Sequence, residues 1–466
     1  MLDKKVKIIA TTGPAVDSAE AILELAREGV DVFRINFSHA THEEAEKRLM
    51  WVRDAEKKMN RPLTVMGDLS GPKIRIGDVV EGLEIEKGQR LHIYKDSRMG
   101  DAEGFCLNHP EIVDSIQVGA MVYVDDGNLK LEVVKKEKEF VTVEVLVGGL
   151  LKPRKGFSVE GLSLGSQGLS EKDKKDIHHM MTLGADALAV SFVQTAKDIQ
   201  EVRDILPKNK RVFLVAKIET VQGIENASEI LEVADALMVA RGDMGLAVPI
   251  AEVPHIQKKL INLCLEKAKP VITATQMLES MIHAPIPTRA EVTDVANAIL
   301  DGTDAVMLSA ETASGKFPAE TVKTMVKIIR ETLPHVSPRI FLGDDGVSNA
   351  VSAEVGDIAD RLKAKLIVAF TQSGNCARRI SRNRHDETII GLSPEETTLR
   401  HLNFSWGVHP QLIKTTVNFD NMREQARETA KKTDIVDMQK GDPIVITAGL
   451  PFGESGSTNM IFVERV

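Results

Sequence analysis

Val212-Phe-Leu-Val-Ala-Lys-Ile-Glu219 and Ala236-Leu-Met-Val-Ala-Arg-Gly-Asp243 are the two stretches of sequence that decide the fold. Each is a short apolar run of residues that favour β-strands, and each ends in charged side chains. Amphipathic stretches that predict helices lie between most runs of this kind. This alternation is typical of βα units on a parallel sheet.

The same pattern recurs along the chain. Eight apolar runs predict strands, at Val6–Ala10, Val32–Ile35, Leu63–Met66, Ala187–Ser191, Val212–Ala216, Ala236–Val239, Val271–Thr273 and Ala305–Leu308. Helices are predicted between most of them, at Ser18–Glu28, His42–Lys58, Glu171–Leu183, Ala196–Leu206 and Glu252–Lys267. Eight βα units are what a closed (β/α)8 TIM barrel of the α/β class needs.

Two regions have a different character. Between residues 70 and 167, glycines punctuate short alternating segments and helical periodicity is nearly absent, which predicts antiparallel strands. We therefore expect an inserted β-barrel lid domain at 70–167, between the two parts of a catalytic barrel at 1–69 and 168–338. The βα alternation resumes after Pro338 and predicts an open α/β regulatory domain at 339–466.

Composition narrows the class of protein. The 466 residues suit two or three domains. The 59 basic and 68 acidic residues give a net charge of −9, which argues against nucleic-acid and anionic-membrane partners. The N-terminus has no apolar core of the signal-peptide kind, and no apolar run is long enough to span a bilayer. Cys106, Cys264 and Cys376 are too scattered for a metal or disulfide framework, so we expect a reduced, cytoplasmic protein.

Polar side chains follow six of the predicted strands, at the ends where barrels of this kind place their active sites. Alternation along a strand puts Lys217 and Glu219 on the same side, and Asp243 follows the next strand. The two carboxylates can therefore converge on one ion. Two hard oxygen ligands suit Mg²⁺ or Mn²⁺, which keep other positions for water and substrate phosphate.

Simpler interpretations exist for each of these residues. Lys217 and Glu219 could form a structural ion pair, Arg34 could pair with Asp68, and Thr275 could be a satisfied strand-end hydroxyl. Their shared position at one barrel mouth favours a functional site, because planar Arg is the usual ligand of phosphate. The sequence has no P-loop, so a nucleotide would have to be held in another way.

Ordered motifs run across the barrel and lid. They are Lys7-Ile-Ile-Ala-Thr-Thr-Gly-Pro14, Phe33-Arg-Ile-Asn-Phe-Ser-His39, Gly71-Pro-Lys-Ile-Arg75, Ala216-Lys-Ile-Glu219, Met238-Val-Ala-Arg-Gly-Asp-Met-Gly245 and Thr273-Ala-Thr-Gln-Met-Leu-Glu-Ser-Met281, followed by Pro287–Glu291 and Asp294–Ala298. Together they closely resemble the motifs of the pyruvate kinase family. The resemblance implies phosphoryl transfer from phosphoenolpyruvate to ADP, giving pyruvate and ATP. It is looser in the third domain.

The resemblance also implies roles for single residues. Glu219 and Asp243 would hold Mg²⁺, while Arg34 and Lys217 would neutralise the phosphoryl oxygens. Gly242 and Thr275 would contact the substrate carboxylate, with Thr275 near the enolate carbon that is protonated. The residues expected to face the nucleotide phosphates are Arg75, His39 and Lys155.

One departure from the family concerns a monovalent cation. Many members bind K⁺ with residues that correspond to Asn36, Ser38, Asp68 and the carbonyl of Leu69, and carry a hydroxyl at position 69 and a glutamate at position 73. A lysine at 73 and K⁺ would repel each other, by roughly 4 kcal/mol at 4 Å with an effective dielectric constant of about 20. We therefore expect Lys73 to replace K⁺ in this pocket, so that turnover needs Mg²⁺ but not K⁺. A solvated loop lysine is the alternative.

In the third domain, Thr371-Gln372-Ser373-Gly374 follows a predicted strand and precedes a helix, a position suited to phosphate. The loop Gly449–Thr458 could close over it. The resemblance suggests a sugar-phosphate or nucleotide effector there, and a homotetramer. Arg378, Arg379 and Arg382 either add positive charge to the site or form a solvated helix face.

Two other functions share some of these features. A barrel lyase or aldolase would use the metal and an enolate without a nucleotide, but would leave the lid and Arg75 unexplained. A non-catalytic ligand sensor built around the third domain would not need Lys217, Glu219, Asp243 and Thr275.

Overall fold

The computed structural model describes residues 4–162, 168–339, 341, 346–453, 456 and 458–466. Over these residues, eight parallel strands close into a barrel. They are Lys7–Thr11, Val32–Asn36, Thr64–Asp68, Ala187–Val190, Phe213–Ile218, Ala236–Ala240, Val271–Ala274 and Ala305–Leu308. The predicted (β/α)8 barrel is confirmed, with every predicted strand found within two residues of its expected bounds.

Helices surround the barrel and bury their apolar faces against it. They are Ala19–Glu28, His42–Met59, Glu171–Leu183, Ala196–Ile205, Val221–Glu225, Ala227–Val233, Arg241–Ala247, Val253–Glu266, Arg289–Leu300, Ala310–Ala313 and Pro318–Thr332. Several begin where the sequence supplies a hydroxyl cap. Thr41 and Thr288, for example, each accept a backbone N–H in a capping box with the glutamate three residues later.

The inserted region is a sheet of its own, with strands Glu84–Ile85, Arg90–Tyr94, Gly104–Cys106, Met121–Val124, Leu129–Lys136, Phe140–Val147, Gly149–Leu150 and Phe157–Val159. Six of these form one sheet and the other two pair separately. The outer strands of the six-stranded sheet are Gly104–Cys106 and Phe157–Val159, and both have backbone partners: the Gly77 N–H donates to the Cys106 carbonyl at 2.8 Å, and the Phe157 N–H donates to the Ile74 carbonyl at 3.0 Å. The segment that leads from the barrel into the lid lies between these two outer strands. Its Arg75 forms a single bridge with Gly156, and its Ile76 forms one with Leu107.

One pairing in this lid differs from expectation. Arg90–Tyr94 and Gly104–Cys106 run parallel, although antiparallel strands are predicted throughout. The connection between them is long enough to bring the chain back to the same end of the sheet. The predicted boundary of the lid at Gln167 falls outside the described residues.

The third region is the open α/β sheet that the sequence predicts. Its strands, in spatial order, are Val408–Leu412, Thr388–Ser393, Leu366–Phe370, Pro443–Gly449 and Thr458–Arg465, the last being antiparallel. Its helices are Val347–Leu362, Asn375–Ser381, Glu396–Leu402 and Phe419–Lys432.

This domain docks against the amino-terminal ends of the barrel strands. Phe404 joins the apolar filling of the barrel and stacks on Phe213, with ring centroids 4.8 Å apart. Arg384, fully buried, lies 2.9 Å from the carboxylate of Asp304 and donates to the carbonyl of Gly302. The lid adjoins the opposite mouth of the barrel, at the carboxyl-terminal ends of the strands.

The three cysteines are free and buried, and each lies in a different domain: Cys106 in the lid, Cys264 in the barrel and Cys376 in the C-terminal domain. Among the described helices, none has both the length and the apolar character needed to cross a membrane.

Candidate active site

Lys217 lies at the centre of the barrel mouth, on the strand Phe213–Ile218. Its Nζ donates to Ser191 Oγ at 2.7 Å and lies 3.1 Å from Glu219 Oε1 and 3.3 Å from Asp68 Oδ1. Burial would lower the pKa of this ammonium, but Asp68 and Glu219 outweigh burial and raise it. Lys217 is therefore a fixed, buried positive charge.

Arg34 provides the second buried cation, from the strand Val32–Asn36. Its Nε donates to Asp68 Oδ2 at 2.6 Å, and another guanidinium nitrogen donates to Thr11 Oγ1 at 2.9 Å. Burial would raise the pKa of Asp68, but Arg34 and Lys217 together hold it below its usual value. The simple ion pair that the sequence allows is thus present, and it orients Arg34 at the mouth.

Glu219 is the buried candidate ligand for a divalent ion. Its Oε2 accepts the backbone N–H of Phe192 at 2.7 Å. Its Oε1 accepts no hydrogen bond from the described residues, although Lys217 is near. Burial raises the pKa of Glu219; Lys217 opposes this rise and Asp243 adds to it.

Asp243 lies in the first turn of the helix Arg241–Ala247, after the next barrel strand. Its carboxylate is close enough to influence the ionisation of Glu219. Two neighbouring carboxylates, one with an oxygen that lacks a hydrogen bond, form the hard-oxygen donor set that suits Mg²⁺ or Mn²⁺. The residues present therefore fit a divalent cation.

Gly242 and Thr275 meet beside this pair. The backbone N–H of Gly242 donates to Thr275 Oγ1 at 2.8 Å, and this hydroxyl donates to the carbonyl of Ala274 at 2.6 Å. Thr275 and Gln276 both have left-handed backbones, with φ of 66° and 54°. Arg241 donates to both of their carbonyls, at 2.6 and 3.1 Å, and thereby holds the turn.

The three residues predicted to face nucleotide phosphates line the edge of the mouth and the lid. Arg75 donates to the carbonyl of Arg154 at 3.0 Å, and Lys155 pairs with Asp125 at 2.8 Å. Partial burial, together with the positive charges of Arg34, Arg75 and Lys73, lowers the pKa of His39. These three cations leave the rim positively charged.

The ion pairs that Lys73 makes within the described residues do not include Asp68, the carboxylate of the pocket in which the sequence predicts it. Its ion pairs within the described chain are to Asp243 at 3.5 Å and to the lid residue Asp126 at 3.9 Å. The lysine lies where the chain crosses from barrel to lid, and these carboxylates attract it. With 33 % of this side chain exposed, the alternative of a solvated loop lysine stays a prediction.

The residues of that pocket have other partners. Asn36 Oδ1 accepts the backbone N–H of Ser38 at 3.0 Å, and the oxygens of Asp68 face Arg34 and Lys217. The carbonyl of Leu69 accepts the hydroxyl of Ser191 at 2.7 Å, and the Leu69 side chain is buried.

Sequence reasoning missed three residues that build the site, and it placed Arg241 at a strand end without giving it a role. Thr11 and Ser191 orient Arg34 and Lys217, the backbone of Phe192 holds Glu219, and Arg241 fixes the turn at Thr275. Thr11 and Ser191 end the first and fourth strands, or directly follow them. The rule that active sites lie at strand ends could have found both, had it been applied to all eight strands.

In the C-terminal domain, Thr371 Oγ1 accepts the backbone N–H of Gly374 at 2.9 Å. Thr371 and Gln372 line a cavity of about 70 Å³ with Gly449 and Phe452. The nearby arginines are not a solvated face, since Arg378 and Arg382 are buried. Arg378 donates to the carbonyl of Ser373, and Arg382 donates to the barrel carbonyl of Glu266.

Comparison with known proteins agrees with this architecture. A family profile described as the barrel domain of pyruvate kinase matches residues 3–322, and one described as its alpha/beta domain matches residues 349–464. Proteins named pyruvate kinase from Staphylococcus aureus strains USA300 and NCTC 8325 are each 41 % identical over 473 aligned positions, which cover 99 % of this chain and 80 % of the relative. The chain therefore belongs to the pyruvate kinase family.

Proposed function

We propose that the barrel mouth transfers the phosphoryl group of phosphoenolpyruvate to ADP, with Lys217 and Arg34 as the groups that neutralise the moving charge. The observation that supports this most is Lys217 itself, a buried ammonium held between Asp68 and Glu219. Phosphoryl transfer depends on positioning and on neutralising charge rather than on covalent help from the protein. Buried cations held in fixed positions at the barrel mouth meet that need.

Glu219 and Asp243 would hold the Mg²⁺ or Mn²⁺ ion. When bound, such an ion supplies positive charge that polarises phosphoryl and enolate oxygens. The hydrogen bond from Phe192 fixes one oxygen of Glu219 and leaves the other available.

Gly242 and Thr275 would bind the substrate carboxylate. The Gly242 N–H and the Thr275 hydroxyl bond each other and Ala274, so both groups are already directed into one small space. Thr275 would stand beside the enolate carbon that receives a proton. A Cβ added at Gly242 would lie 3.4 Å from Thr275 Oγ1, an ordinary van der Waals contact that would take up part of this space.

Arg75, His39 and Lys155 would bind the phosphates of ADP or ATP. Arg75 and Lys155 belong to the lid and are held by other lid residues, so lid closure would bring positive charge to the nucleotide and exclude water.

Lys73 would remove the need for K⁺, by a route that differs from simple occupation of the pocket. Its ammonium already lies beside Asp243. With Asp243 as a ligand of the divalent ion, this contact would weaken, and the ammonium of Lys73 would be free to supply its charge near Asn36, Ser38, Asp68 and Leu69. A second monovalent cation would then be repelled.

The C-terminal domain would also bind a regulatory ligand. Thr371, Gln372, Ser373 and Gly374 would contact a sugar-phosphate or nucleotide effector through hydroxyls and backbone amides, because Arg378 is directed into the domain. We further propose that the protein is a cytoplasmic homotetramer. Each subunit would consist of the barrel, lid and C-terminal domains with the bounds given above. Light scattering of the purified full chain measures the oligomeric state.

Pyruvate formation from phosphoenolpyruvate, with and without ADP, tests the activity. We expect pyruvate only when both ADP and Mg²⁺ are present, and loss of that product in Glu219→Gln. Pyruvate without ADP would instead support a lyase or phosphatase reaction. An absence of turnover under any effector would support the sensor.

A further inference from the structure

A second group of potential metal ligands lies in the C-terminal domain. Asp357 and Asp360 are one turn apart on the helix Val347–Leu362, and His385 lies in the segment that leads to the strand Thr388–Ser393. One ligand atom from each of the three lies within 4.8 Å of the other two. None of these residues belongs to the barrel mouth.

His385 is held in place without a hydrogen bond to its ring nitrogen Nδ1. The side chain is 4 % exposed, and Nδ1 has no hydrogen-bond partner among the described residues, although it lies 3.5 Å from Asp360 Oδ2. A Cβ built at Gly356 would lie 2.0 Å from Cδ2 of this ring. The helix therefore needs a glycine at 356 to let the imidazole lie against it, next to the two aspartates.

Glu387 adds a second buried polar atom at the same place. Its Oε2 also lacks a hydrogen-bond partner in the described part of the chain. Its carboxyl group lies beside that of Asp360. Lys5, a nearby cation, directs its ammonium to the carbonyls of His385 and Asp386. The cluster thus gathers carboxylates around a buried imidazole.

We propose that Asp357, Asp360 and His385 bind one divalent transition-metal ion of the zinc type, with Glu387 as an additional carboxylate. A set of one imidazole with carboxylates suits Zn²⁺, Co²⁺ or Ni²⁺ better than Mg²⁺, which prefers oxygen ligands. Ligand atoms in a tetrahedral zinc site lie about 3.4 Å apart. The Asp360 side chain, 49 % exposed, has the freedom to move inward by the difference.

Such an ion would connect the helix Val347–Leu362 to a segment that holds the domain to the barrel. The segment that carries His385 also carries Arg384, which pairs with Asp304 at the barrel floor. The carbonyl of His385 accepts the ammonium of Lys5 at 3.1 Å. Metal binding between this segment and the helix Val347–Leu362 would therefore stabilise the docked domain.

Equilibrium dialysis of the full chain against Zn²⁺, with Mg²⁺ in excess, tests the site by comparing the Zn²⁺ bound by the wild type with that bound by variants. We expect His385→Asn and Asp360→Asn each to bind one equivalent fewer than the wild type at micromolar Zn²⁺. Because Asp360 is half exposed, its variant should fold even if the His385 variant does not. Zn²⁺ should also raise the Tm of the wild type more than that of either variant.

Two exposed residues provide matched controls: His335→Asn removes an imidazole, and Glu354→Gln removes a carboxylate from the same helix as Asp360. Both should bind Zn²⁺ as the wild type does. Equal uptake by the wild type and both site variants would overturn the proposal. Equal losses in the control variants would overturn it as well, because they would show that Zn²⁺ binds the surface generally.

Discussion

At the scale of single residues, Lys217 is the most heavily constrained side chain of the site. Three oxygen atoms surround its ammonium, from Ser191, Glu219 and Asp68. Lys217→Ala should lower kcat by at least about a hundredfold, because a preorganised charge in a dry site contributes that much or more. Steady-state kinetics with phosphoenolpyruvate and ADP measure the loss.

Folding must be monitored in the same experiment. Removing one partner of a buried charge network costs about 3–5 kcal/mol, since Asp68 and Glu219 lose their counter-charge. Circular dichroism and Lys217→Met, which keeps most of the volume, separate the two effects. Lys197→Ala, on an exposed helix position, is the control. A loss of less than tenfold in a folded variant would contradict the role.

Lys73 gives the second residue-scale prediction. The wild type should turn over equally well with K⁺ or with tetramethylammonium as the monovalent cation. Lys73→Glu should become K⁺-dependent, because a carboxylate restores the charge balance that a bound cation needs. Lys152→Glu makes the same charge change at an exposed lid position and should remain independent of K⁺. Several-fold activation of the wild type by K⁺ would refute the idea.

At the scale of elements, the turn after the strand Val271–Ala274 is the part of the site that a substitution would disrupt most easily. Two consecutive non-glycine residues, Thr275 and Gln276, adopt left-handed backbones that cost about 1–2 kcal/mol each. Arg241 bonds both of their carbonyls and also Asp294. The helix Arg241–Ala247 thus holds the neighbouring turn in a conformation that it would not adopt alone.

Arg241→Ala should therefore raise KM for phosphoenolpyruvate and lower kcat, together by about ten- to a hundredfold, because the Thr275 hydroxyl is no longer fixed. Arg241→Lys should not rescue it, since an ammonium cannot bond both carbonyls and Asp294. Arg203→Ala also removes a guanidinium from a backbone carbonyl, that of Val233, far from the mouth. A merely structural role would give both alanine variants the same loss of Tm and unchanged KM.

Sequence patterns could predict the elements and part of the site. Apolar runs located the barrel strands, and the strand-end rule placed Lys217, Glu219 and Asp243 together. The left-handed turn at Thr275 carries no glycine to signal it. Lys73 could not be placed, because its partners Asp243 and Asp126 lie far away in the chain and meet it only through the position of the lid.

At the scale of the whole molecule, the joint between the C-terminal domain and the barrel is rich in buried polar groups. Helical spacing alone made Arg378 and Arg382 resemble a solvated face, because spacing within one helix carries no information about what covers it. Docking against the barrel buries both. Burial and the nearby Arg211 lower the pKa of Arg378 to about 10.

His401 makes this joint sensitive to acid. It bonds the backbone carbonyl of Asp186 and packs near Phe213. Burial, together with Arg211 and Arg378, lowers its pKa from 6.5 to about 4. The unfolded chain therefore takes up a proton first, so stability is complete above pH 6.5 and falls as the pH drops towards 4. The loss at the acid end is about 3 kcal/mol.

Thermal unfolding of wild type and His401→Gln between pH 7.5 and 4.5 measures this contribution. The variant should lose less Tm on acidification, because glutamine keeps a polar side chain without a titratable ring. His335→Gln, at an exposed site, should follow the wild type. Identical pH dependence in wild type and His401→Gln would show that the joint owes its acid sensitivity to other groups.

The distribution of the cysteines allows the local opening of each domain to be measured through thiol labelling. Because Cys106, Cys264 and Cys376 are buried and free, one in each domain, a thiol reagent can reach each only when its domain opens. Mass spectrometry of the alkylated peptides would thus time the opening of lid, barrel and C-terminal domain separately, in one sample and without engineered labels. Repeating the measurement with substrate, effector or metal ion would then show which of the three labelling rates each ligand lowers.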